Sequence, residues 1–250
     1  MTKDLYQDFA ERYDLFHGKF GEHKTGYRVF FQKAFIENKI HSVLDCACGT
    51  GHDLHLFYSL GCEAVGSDVS EPMLAMAGEN LKSVGASIPL HKVDYRALHK
   101  HFKRRFDAVV CLAGSILHMG DKKEVIRAFL SMRRVLRDNG LLILTQGTTD
   151  KQWKKKPRFI LSSSKKDFSR LFVIDYRERG ARYHVLDIWH DTQKPELKVW
   201  SVDYDQILLK DDYAKLLQLA GYRKVRFYGS YKFDPYSKKE SDTLICVAYK

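Results

Sequence analysis

The segment Val43-Leu44-Asp45-Cys46-Ala47-Cys48-Gly49-Thr50-Gly51 decides the fold class. It begins as an apolar run of strand length, and the two glycines remove Cβ atoms where the chain must turn sharply and where a ligand can approach the backbone. The turn opens a stretch that we expect to be a helix running to Leu60. Leu54 occupies the third glycine position of G-x-G-x-x-G, and the lysine of a P-loop is absent. The turn therefore favours a carboxylate at the helix N-terminus over a triphosphate.

Outward from this turn, apolar runs alternate with amphipathic stretches as far as about residue 150, which is typical of parallel strands joined by helices. We expect strands at residues 42–46, 64–67, 88–93, 106–112 and 141–145. Ser70, Glu71 and Pro72 predict the start of one connecting helix. Asp121 with Glu124 predicts the start of another, over residues 122–137, which Asn139-Gly140 would end.

The character of the chain changes at about residue 148, where the runs LFVIDY, RYHVLDIW and LKVWSVDY are separated by charged or turn residues. These runs predict antiparallel strands as far as about residue 206. A helix at 211–220 and two neighbouring strands at 225–228 and 243–248 follow. The sequence thus predicts an α/β fold: a doubly wound, Rossmann-like, mainly parallel seven-stranded sheet with an antiparallel β insertion after the fifth strand. We expect a single domain over residues 1–250, with an N-terminal helical lid at 1–40 and a substrate lid at 148–206 over the carboxyl edge of the sheet.

Composition excludes several classes of protein. Of the 250 residues, 44% are hydrophobic and 29% are charged, as in a globular protein with its own core. No apolar run approaches the roughly 20 residues of a membrane helix, and the stretch MTKDLYQDFAERYD lacks the apolar core of a secretory signal. Five cysteines without framework spacing fit reduced thiols. We therefore expect a cytoplasmic protein without a membrane partner.

Two carboxylates at the ends of predicted strands point to a nucleoside ligand. Asp68 ends the second strand, 19 residues beyond Gly49, where a carboxylate can accept hydrogen bonds from both ribose hydroxyls. Asp94 ends the third strand beside Tyr95, where an adenine could be held. The glycine turn and these two residues, in this order, predict a nucleoside pocket.

At this point the chain resembles the class I S-adenosylmethionine-dependent methyltransferases. LDCACGTG is similar to their first motif, VGSDVSEPML to their second, FDAVVCLAGSILHM to their fourth-strand segment and VLRDNGLLIL to the strand that follows. Within that superfamily the pattern is similar to the glycine N-methyltransferase-like small-molecule enzymes. The resemblance implies S-adenosyl-L-methionine as the cofactor.

The resemblance also implies roles for individual residues. Ala47 and Gly49, in the turn that Gly51 completes, would line the methionine portion of the cofactor, and Asp68 would hold its ribose. The residues implied at the adenine are Met73, Asp94 and Tyr95, those near the sulfonium are Leu112 and His118, and Tyr13 would belong to the N-terminal lid.

The predicted chemistry is in-line methyl transfer to a small-molecule acceptor. An amine nitrogen is the favoured acceptor atom. The sulfonium is already activated, so catalysis depends mainly on positioning, which can supply on the order of 7–11 kcal/mol. We assign His118 and Tyr13 as the catalytic candidates and Trp153 and Arg158, on the insertion, as substrate-binding candidates.

Two polar groups of the glycine methyltransferases are missing here. Gly114 stands where those enzymes carry an asparagine after the fourth strand, and Gly147 where they carry the arginine that binds the substrate carboxylate. We therefore expect an acceptor larger than glycine that bears a ring or a chain, and the basic residues 154–158 admit an acidic group on it.

Two alternatives remain at the level of sequence. The balance of 42 Lys+Arg against 31 Asp+Glu gives a net charge of +11 and admits an RNA methyltransferase, although no RNA-binding module or base-flipping motif favours nucleic acid as a partner. A protein that binds the cofactor without catalysis is the other alternative. We predict no metal site, because the spacing of Cys46, Cys48, His52 and His55 is not that of a zinc site.

Overall fold

A central seven-stranded sheet organises the molecule, with strand order β10-β11-β5-β4-β1-β2-β3. The computed structural model describes residues 6–7, 9–190 and 193–250. The strands β1 to β5 pair in parallel with one another. β11 pairs antiparallel with both β5 and β10 and is the strand that runs in the opposite direction. The strands are β1 Ser42–Asp45, β2 Glu63–Asp68, β3 Leu90–Lys92, β4 Phe106–Cys111, β5 Leu136–Gln146, β6 Phe159–Ser164, β7 Phe168–Tyr176, β8 Ala181–Trp189, β9 Glu196–Tyr204, β10 Lys224–Tyr228 and β11 Leu244–Tyr249.

Helices cover both faces of this sheet, as a doubly wound fold requires. They are α1 Ala10–Tyr13, α2 Thr25–Glu37, α3 His52–Ser59, α4 Glu71–Ser83, α5 Leu98–His101, α6 Lys122–Val135, α7 Asp150–Lys155 and α8 Lys210–Leu219. One face packs against α2 and α3 through buried residues such as Phe31 and Phe57. The other face packs against α6 and α8 through residues such as Phe129 and Leu217. The α/β, Rossmann-like fold class expected from the sequence is confirmed.

The segment after β5 forms a second, four-stranded antiparallel sheet in the order β6-β7-β8-β9. β7, β8 and β9 coincide with the Tyr-, Trp- and Val-rich runs, because β-branched and aromatic side chains favour strands, whereas β6 was not predicted by any of these runs. Positions along β7 and β8 alternate between buried and more exposed side chains. Residues 1–5 and 8 of the predicted N-terminal lid, and residues 191–192 of the predicted insertion, lie outside the described residues.

A buried ionic cluster joins the N-terminal helix to the second sheet. Asp187 on β8 is fully buried and accepts hydrogen bonds from Arg12 Nη1 at 2.5 Å and from Arg170 Nε at 2.5 Å. The guanidinium of Arg170 also donates to the backbone carbonyl of Arg12 at 3.0 Å. We call Arg12, Asp187 and Arg170 the lid triad, because they tie α1 to β7 and β8.

The boundary between α6 and β5 differs from the sequence prediction. The helix ends at Val135 and the strand begins at Leu136, which pairs with Phe106. Asn139, with a φ of +63°, and Gly140 form an irregularity between this first pair and the regular pairing that starts at Leu141. Asn139-Gly140 therefore turns the chain inside β5 and does not end the helix. Within the described ranges, no helix is long and apolar enough to cross a bilayer.

Candidate functional site

The glycine turn lies at the carboxyl end of β1 and leads into α3. Gly49 and Gly51 have φ angles of +50° and +89°, in the left-handed region that favours glycine. A Cβ on Gly49 would lie 3.6 Å from the ring of Tyr13, and one on Gly51 would lie 3.3 Å from Cβ of Ala77 on α4. The positive φ of Gly49 favours glycine at the cavity wall, where a Cβ would be in ordinary contact with Tyr13, whereas Gly51 allows α3 and α4 to pack closely.

Asp68 ends β2 beside this turn. Its carboxylate accepts hydrogen bonds from the backbone amides of Gly49 at 2.9 Å and of Ser70 at 3.0 Å. Ser70 in turn caps α4 by accepting a hydrogen bond from the amide of Met73. A single carboxylate thus fixes the distance between the ends of β1 and β2, where ligands bind in open α/β sheets.

A cavity of about 720 Å³, which we call the cofactor cavity, opens above these strand ends. Six of the residues predicted to bind the cofactor line it: Ala47, Gly49, Asp68, Met73, Asp94 and Tyr95. Gly51 does not line it, since it packs against α4. Leu112 lines a small adjoining cavity that shares Ala47 and Gly49 with the large one.

Asp94 is held at the cavity wall by a short ionic network. Arg96 Nε lies 3.0 Å from each of its carboxylate oxygens, and Arg96 Nη1 donates to Glu124 on α6 at 2.6 Å. Burial by itself raises the pKa of Asp94, but the hydrogen bonds from Arg96 outweigh burial and lower the pKa below its ordinary value. The Asp94 side chain therefore stays ionised and oriented at neutral pH.

A second cavity, of about 410 Å³, lies between the central sheet and the second sheet. We call it the acceptor cavity. It shares four residues with the cofactor cavity, namely Tyr6, Tyr13, Ser115 and His118. Gly114 and Gly147 also line the acceptor cavity. The two cavities thus meet at the side chains of the N-terminal segment and of the turn after β4.

His118 and Tyr13, the two predicted catalytic residues, both lie at this junction. The His118 ring shares a 2.8 Å hydrogen bond with the hydroxyl of Tyr6 and packs against Tyr204 at a centroid distance of 5.1 Å. Burial lowers the pKa of His118 to about 4, so the imidazole is neutral at pH 7. Burial raises the pKa of the Tyr13 hydroxyl above its ordinary value, so that side chain is neutral as well.

Trp153 and Arg158, predicted to bind substrate, do not lie at the acceptor cavity. Residues 150–155 form a short helix, and Trp153 packs from it onto the ring of Tyr176 at 5.6 Å, beside a different cavity. Arg158 has a 66% exposed side chain that pairs with Asp175. The sequence predicted both residues at the substrate, whereas Trp153 packs against the core beside α6 and α8, and Gln152 is the residue of this helix that lines the acceptor cavity.

Sequence reasoning did not single out the aromatic side chains of the N-terminal segment other than Tyr13. Tyr6, Phe9 and Phe16 line the acceptor cavity with it, and Phe9 stacks on Trp200 of β9 at 4.4 Å. The spacing of these four aromatics, three, four and three residues apart, is that of one helical face. This spacing is the signal that could have identified them.

Comparison with known proteins agrees with this geometry. The family model of a methyltransferase domain matches residues 43–140. A glycine/sarcosine N-methyltransferase from Aphanothece halophytica is 28% identical over 228 residues, which cover 88% of this chain and 80% of the relative. These matches support a class I S-adenosylmethionine-dependent methyltransferase, as the sequence motifs predict.

Solved structures share the fold of this methyltransferase over its whole length. A crystal structure of an S-adenosylmethionine-dependent methyltransferase from Clostridium acetobutylicum superposes with a TM-score of 0.79 at 16% identity, covering 98% of this chain and 99% of the other. The sugar N-methyltransferase KedS8 from Streptoalloteichus superposes with a TM-score of 0.71 at 23% identity, covering 95% and 92%.

The cofactor cavity fits S-adenosyl-L-methionine, the cofactor of this family. A carboxylate stands at the end of β2, a glycine-lined helix start faces the cavity, and the buried side chain of Met73 provides an apolar wall. Across the described ranges, no group of three histidine, cysteine or acidic side chains is arranged to hold a metal ion.

Proposed function

We propose that this methyltransferase transfers the methyl group of S-adenosyl-L-methionine to an amine nitrogen of a small molecule. The observation that carries the proposal is the junction of a cofactor-sized cavity with an aromatic-lined cavity at Tyr6, Tyr13 and His118. The similarity to an enzyme named for glycine and sarcosine N-methylation supports an amine acceptor. The structural likeness to a sugar N-methyltransferase is compatible with it.

The residue roles in this proposal follow from position. Asp68 accepts hydrogen bonds from the ribose hydroxyls, and Met73, Asp94 and Tyr95 surround the adenine. The amides at the start of α3, beside Ala47 and Gly49, receive the carboxylate of the methionine portion, which the positive end of the helix favours. The N-terminal helical segment and the second sheet act as lids that exclude water from the junction.

The junction favours nitrogen over oxygen as the acceptor atom. The cofactor supplies an activated methyl group, so the nucleophile needs only a free lone pair in line with the carbon–sulfur bond. An amine presents that lone pair once its ammonium form has lost a proton to water, whereas a hydroxyl needs a base at the site. At pH 7 the imidazole of His118 is a very weak base, because burial lowers its pKa to about 4. We assign His118 and Tyr6 to orienting the acceptor and Tyr13 to closing the junction.

Nucleic acid is less well supported as the acceptor. The basic side chains of Lys103, Arg104, Arg105 and Arg134 surround a surface cleft that precedes β4. The cofactor cavity lies at the other end of the same strand, which spans roughly 20 Å at 3.3 Å per residue. A base held by this cleft would lie at the wrong edge of the sheet for methylation.

The proposal is tested with cofactor carrying a deuterated methyl group. The protein is incubated with a library of small-molecule amines, alcohols, phenols and carboxylic acids, and products are identified by mass. We expect N-methylated products with one S-adenosylhomocysteine formed per methyl group transferred, and slower product formation by Asp68→Ala at low cofactor concentration. Methylation confined to oxygen or to added RNA would contradict the proposal, as would cofactor binding with no labelled product.

A further inference from the structure

The acceptor cavity differs in charge from a site built for amino acids. No lysine or arginine is among the described residues that line it. The one carboxylate on its wall belongs to Asp242, which is 75% exposed on its side chain and paired with Lys151 at 2.8 Å. The described wall of the cavity therefore offers no lysine or arginine to an anionic acceptor.

Several polar groups of the cavity wall are already engaged in hydrogen bonds within the protein. The Gln146 amide donates to the backbone carbonyls of Thr148 at 2.5 Å and Leu208 at 2.8 Å, and its oxygen accepts from Tyr213 at 2.5 Å. The hydroxyls of Thr148 and Tyr183 are 3.0 Å apart and share a hydrogen bond. A carboxylate placed here would lose its hydration without gaining a charged partner, which is strongly unfavourable.

Much of the rest of the wall is aromatic, and both lids contribute aromatic side chains to it. Phe9 stacks on Trp200 at 4.4 Å, and Phe16 stacks on Phe172 of β7 at 5.9 Å. A cavity of about 410 Å³ falls within the range that accommodates drug-sized ligands and is much larger than glycine requires. Aromatic faces also attract the ammonium group that an amine becomes when it receives a methyl group.

From these observations we infer that the acceptor is an amine carried on an apolar ring or chain and lacking a carboxylate. This inference rests on the proposed function and narrows its substrate class. In the reaction the nitrogen–carbon bond forms as the carbon–sulfur bond breaks, the positive charge passes from sulfur to nitrogen, and the product ammonium releases its extra proton to water. The inference departs from the amino acid acceptors named for the relative from Aphanothece halophytica.

Gly147, directly after β5, is the position that excludes carboxylates. It lines the acceptor cavity, and a Cβ added there would meet no atom within 4 Å. Its φ lies outside the left-handed region, so a side chain can be introduced without backbone strain. An arginine at 147 would place a guanidinium at a wall that has no lysine or arginine among its described residues.

The test uses matched pairs of acceptors that differ only by a carboxylate: 2-phenylethylamine and phenylalanine, tryptamine and tryptophan, 3-methylbutylamine and leucine, and methylamine and glycine. For the parent protein we expect kcat/KM for the best apolar amine to exceed that of the matching amino acid by at least about tenfold. The reason is that the amino acid would bury a carboxylate without a charged partner. Gly147→Arg is expected to shift this ratio toward the amino acids, whereas Gly147→Gln, a shorter polar side chain without charge, leaves it near the parent value. Because the ratio is internal to each variant, loss of folded protein does not affect it.

Each outcome decides a different point. Equal or faster methylation of the amino acids by the parent protein overturns the substrate class while leaving amine methylation intact. A ratio that moves equally in Gly147→Arg and Gly147→Gln overturns the role of charge at this position. If none of these amines and no amine of the wider library is methylated, the proposed function fails and this inference fails with it.

Discussion

At the scale of single residues, Asp68 connects the fold to the cofactor. It accepts hydrogen bonds from two backbone amides of the strand ends and lines the cavity where the ribose would bind. We expect Asp68→Ala to weaken cofactor binding by about 2 kcal/mol, since hydrogen bonds to charged groups contribute about that much. Calorimetric titration with S-adenosylhomocysteine measures the change.

The matched control for this variant is Asp138→Ala. The side chain of Asp138 is 94% exposed and lies 3.5 Å from Lys250. Asp138 does not line the cofactor cavity. Its removal changes the net charge by the same amount, so we expect unchanged affinity. Equal affinities for the parent and Asp68→Ala would show that Asp68 does not bind the cofactor.

We do not expect the ionisation of His118 to contribute to the pH dependence of activity. Its pKa is lowered to about 4 by burial, so its ionisation lies below the range in which activity is measured. We therefore expect kcat/KM for an amine to rise with pH from 6 to 9 along the titration of the substrate ammonium alone. His118→Gln should lower the rate without moving this curve. An additional ionisation near pH 6.5 that disappears in His118→Gln would indicate a general base instead.

The same shift has a consequence for stability. An imidazole whose pKa is lower in the folded state than the ordinary 6.5 binds fewer protons when folded than when unfolded at any pH between these values. The contribution of His118 to the free energy of unfolding is therefore present above pH 6.5 and is lost as the pH falls toward 4. His118→Gln should show a smaller loss over this range in urea unfolding.

At the scale of elements, the lid triad connects α1 with β7 and β8. Asp187 and Arg170 are both almost completely buried, and removing the carboxylate would leave two cations without their charged partner. We expect Asp187→Ala to lower the free energy of unfolding by about 3–5 kcal/mol, the usual cost of breaking a buried pair. The KM for the acceptor should also rise, because α1 positions Tyr6 and Tyr13.

Arg158→Ala is the control for the triad. It removes an ion pair from the same sheet, between Arg158 and Asp175, in which both side chains are about half exposed or more. Such pairs contribute less than about 1 kcal/mol. We expect neither stability nor the acceptor KM to change appreciably. An acceptor KM that rises in Arg158→Ala would restore this residue as a substrate-binding candidate.

At the scale of the whole molecule, the two lids should respond together to the cofactor. Tyr6 and Tyr13 line both cavities, and Asp14, next to α1, accepts hydrogen bonds from Thr50 of the glycine turn and from Asn80 of α4. We therefore expect S-adenosylhomocysteine to slow amide hydrogen exchange in residues 9–17 as well as in residues 47–51.

The comparison variant for this experiment is Arg12→Met, which removes the contact of α1 with Asp187 but leaves the cofactor cavity unchanged. Residues 47–51 should still become protected, whereas residues 9–17 should respond less than in the parent protein. Protection of 47–51 alone in the parent would mean that the N-terminal segment does not close over the cofactor.

Much of the fold and of the cofactor site could be predicted from the sequence because both depend on local patterns. Apolar runs of strand length, the caps at Ser70 and Asp121, and the positive-φ glycines of the turn each act within a few residues. In a parallel sheet the carboxyl ends of strands meet at one edge, so Asp68 and Asp94 could be assigned to one cavity from their positions alone.

The acceptor cavity was decided only by the tertiary structure. Its wall combines Phe9 from the N-terminal segment, Trp200 from β9 and Gly147 directly after β5. These residues are far apart in the chain. Whether a side chain such as Trp153 faces this cavity depends on the helix at 150–155 and on how the second sheet packs, and no local spacing encodes that packing. The sequence thus determined the cofactor and the fold, because short-range backbone requirements specify them. The acceptor site arises from long-range packing between two sheets.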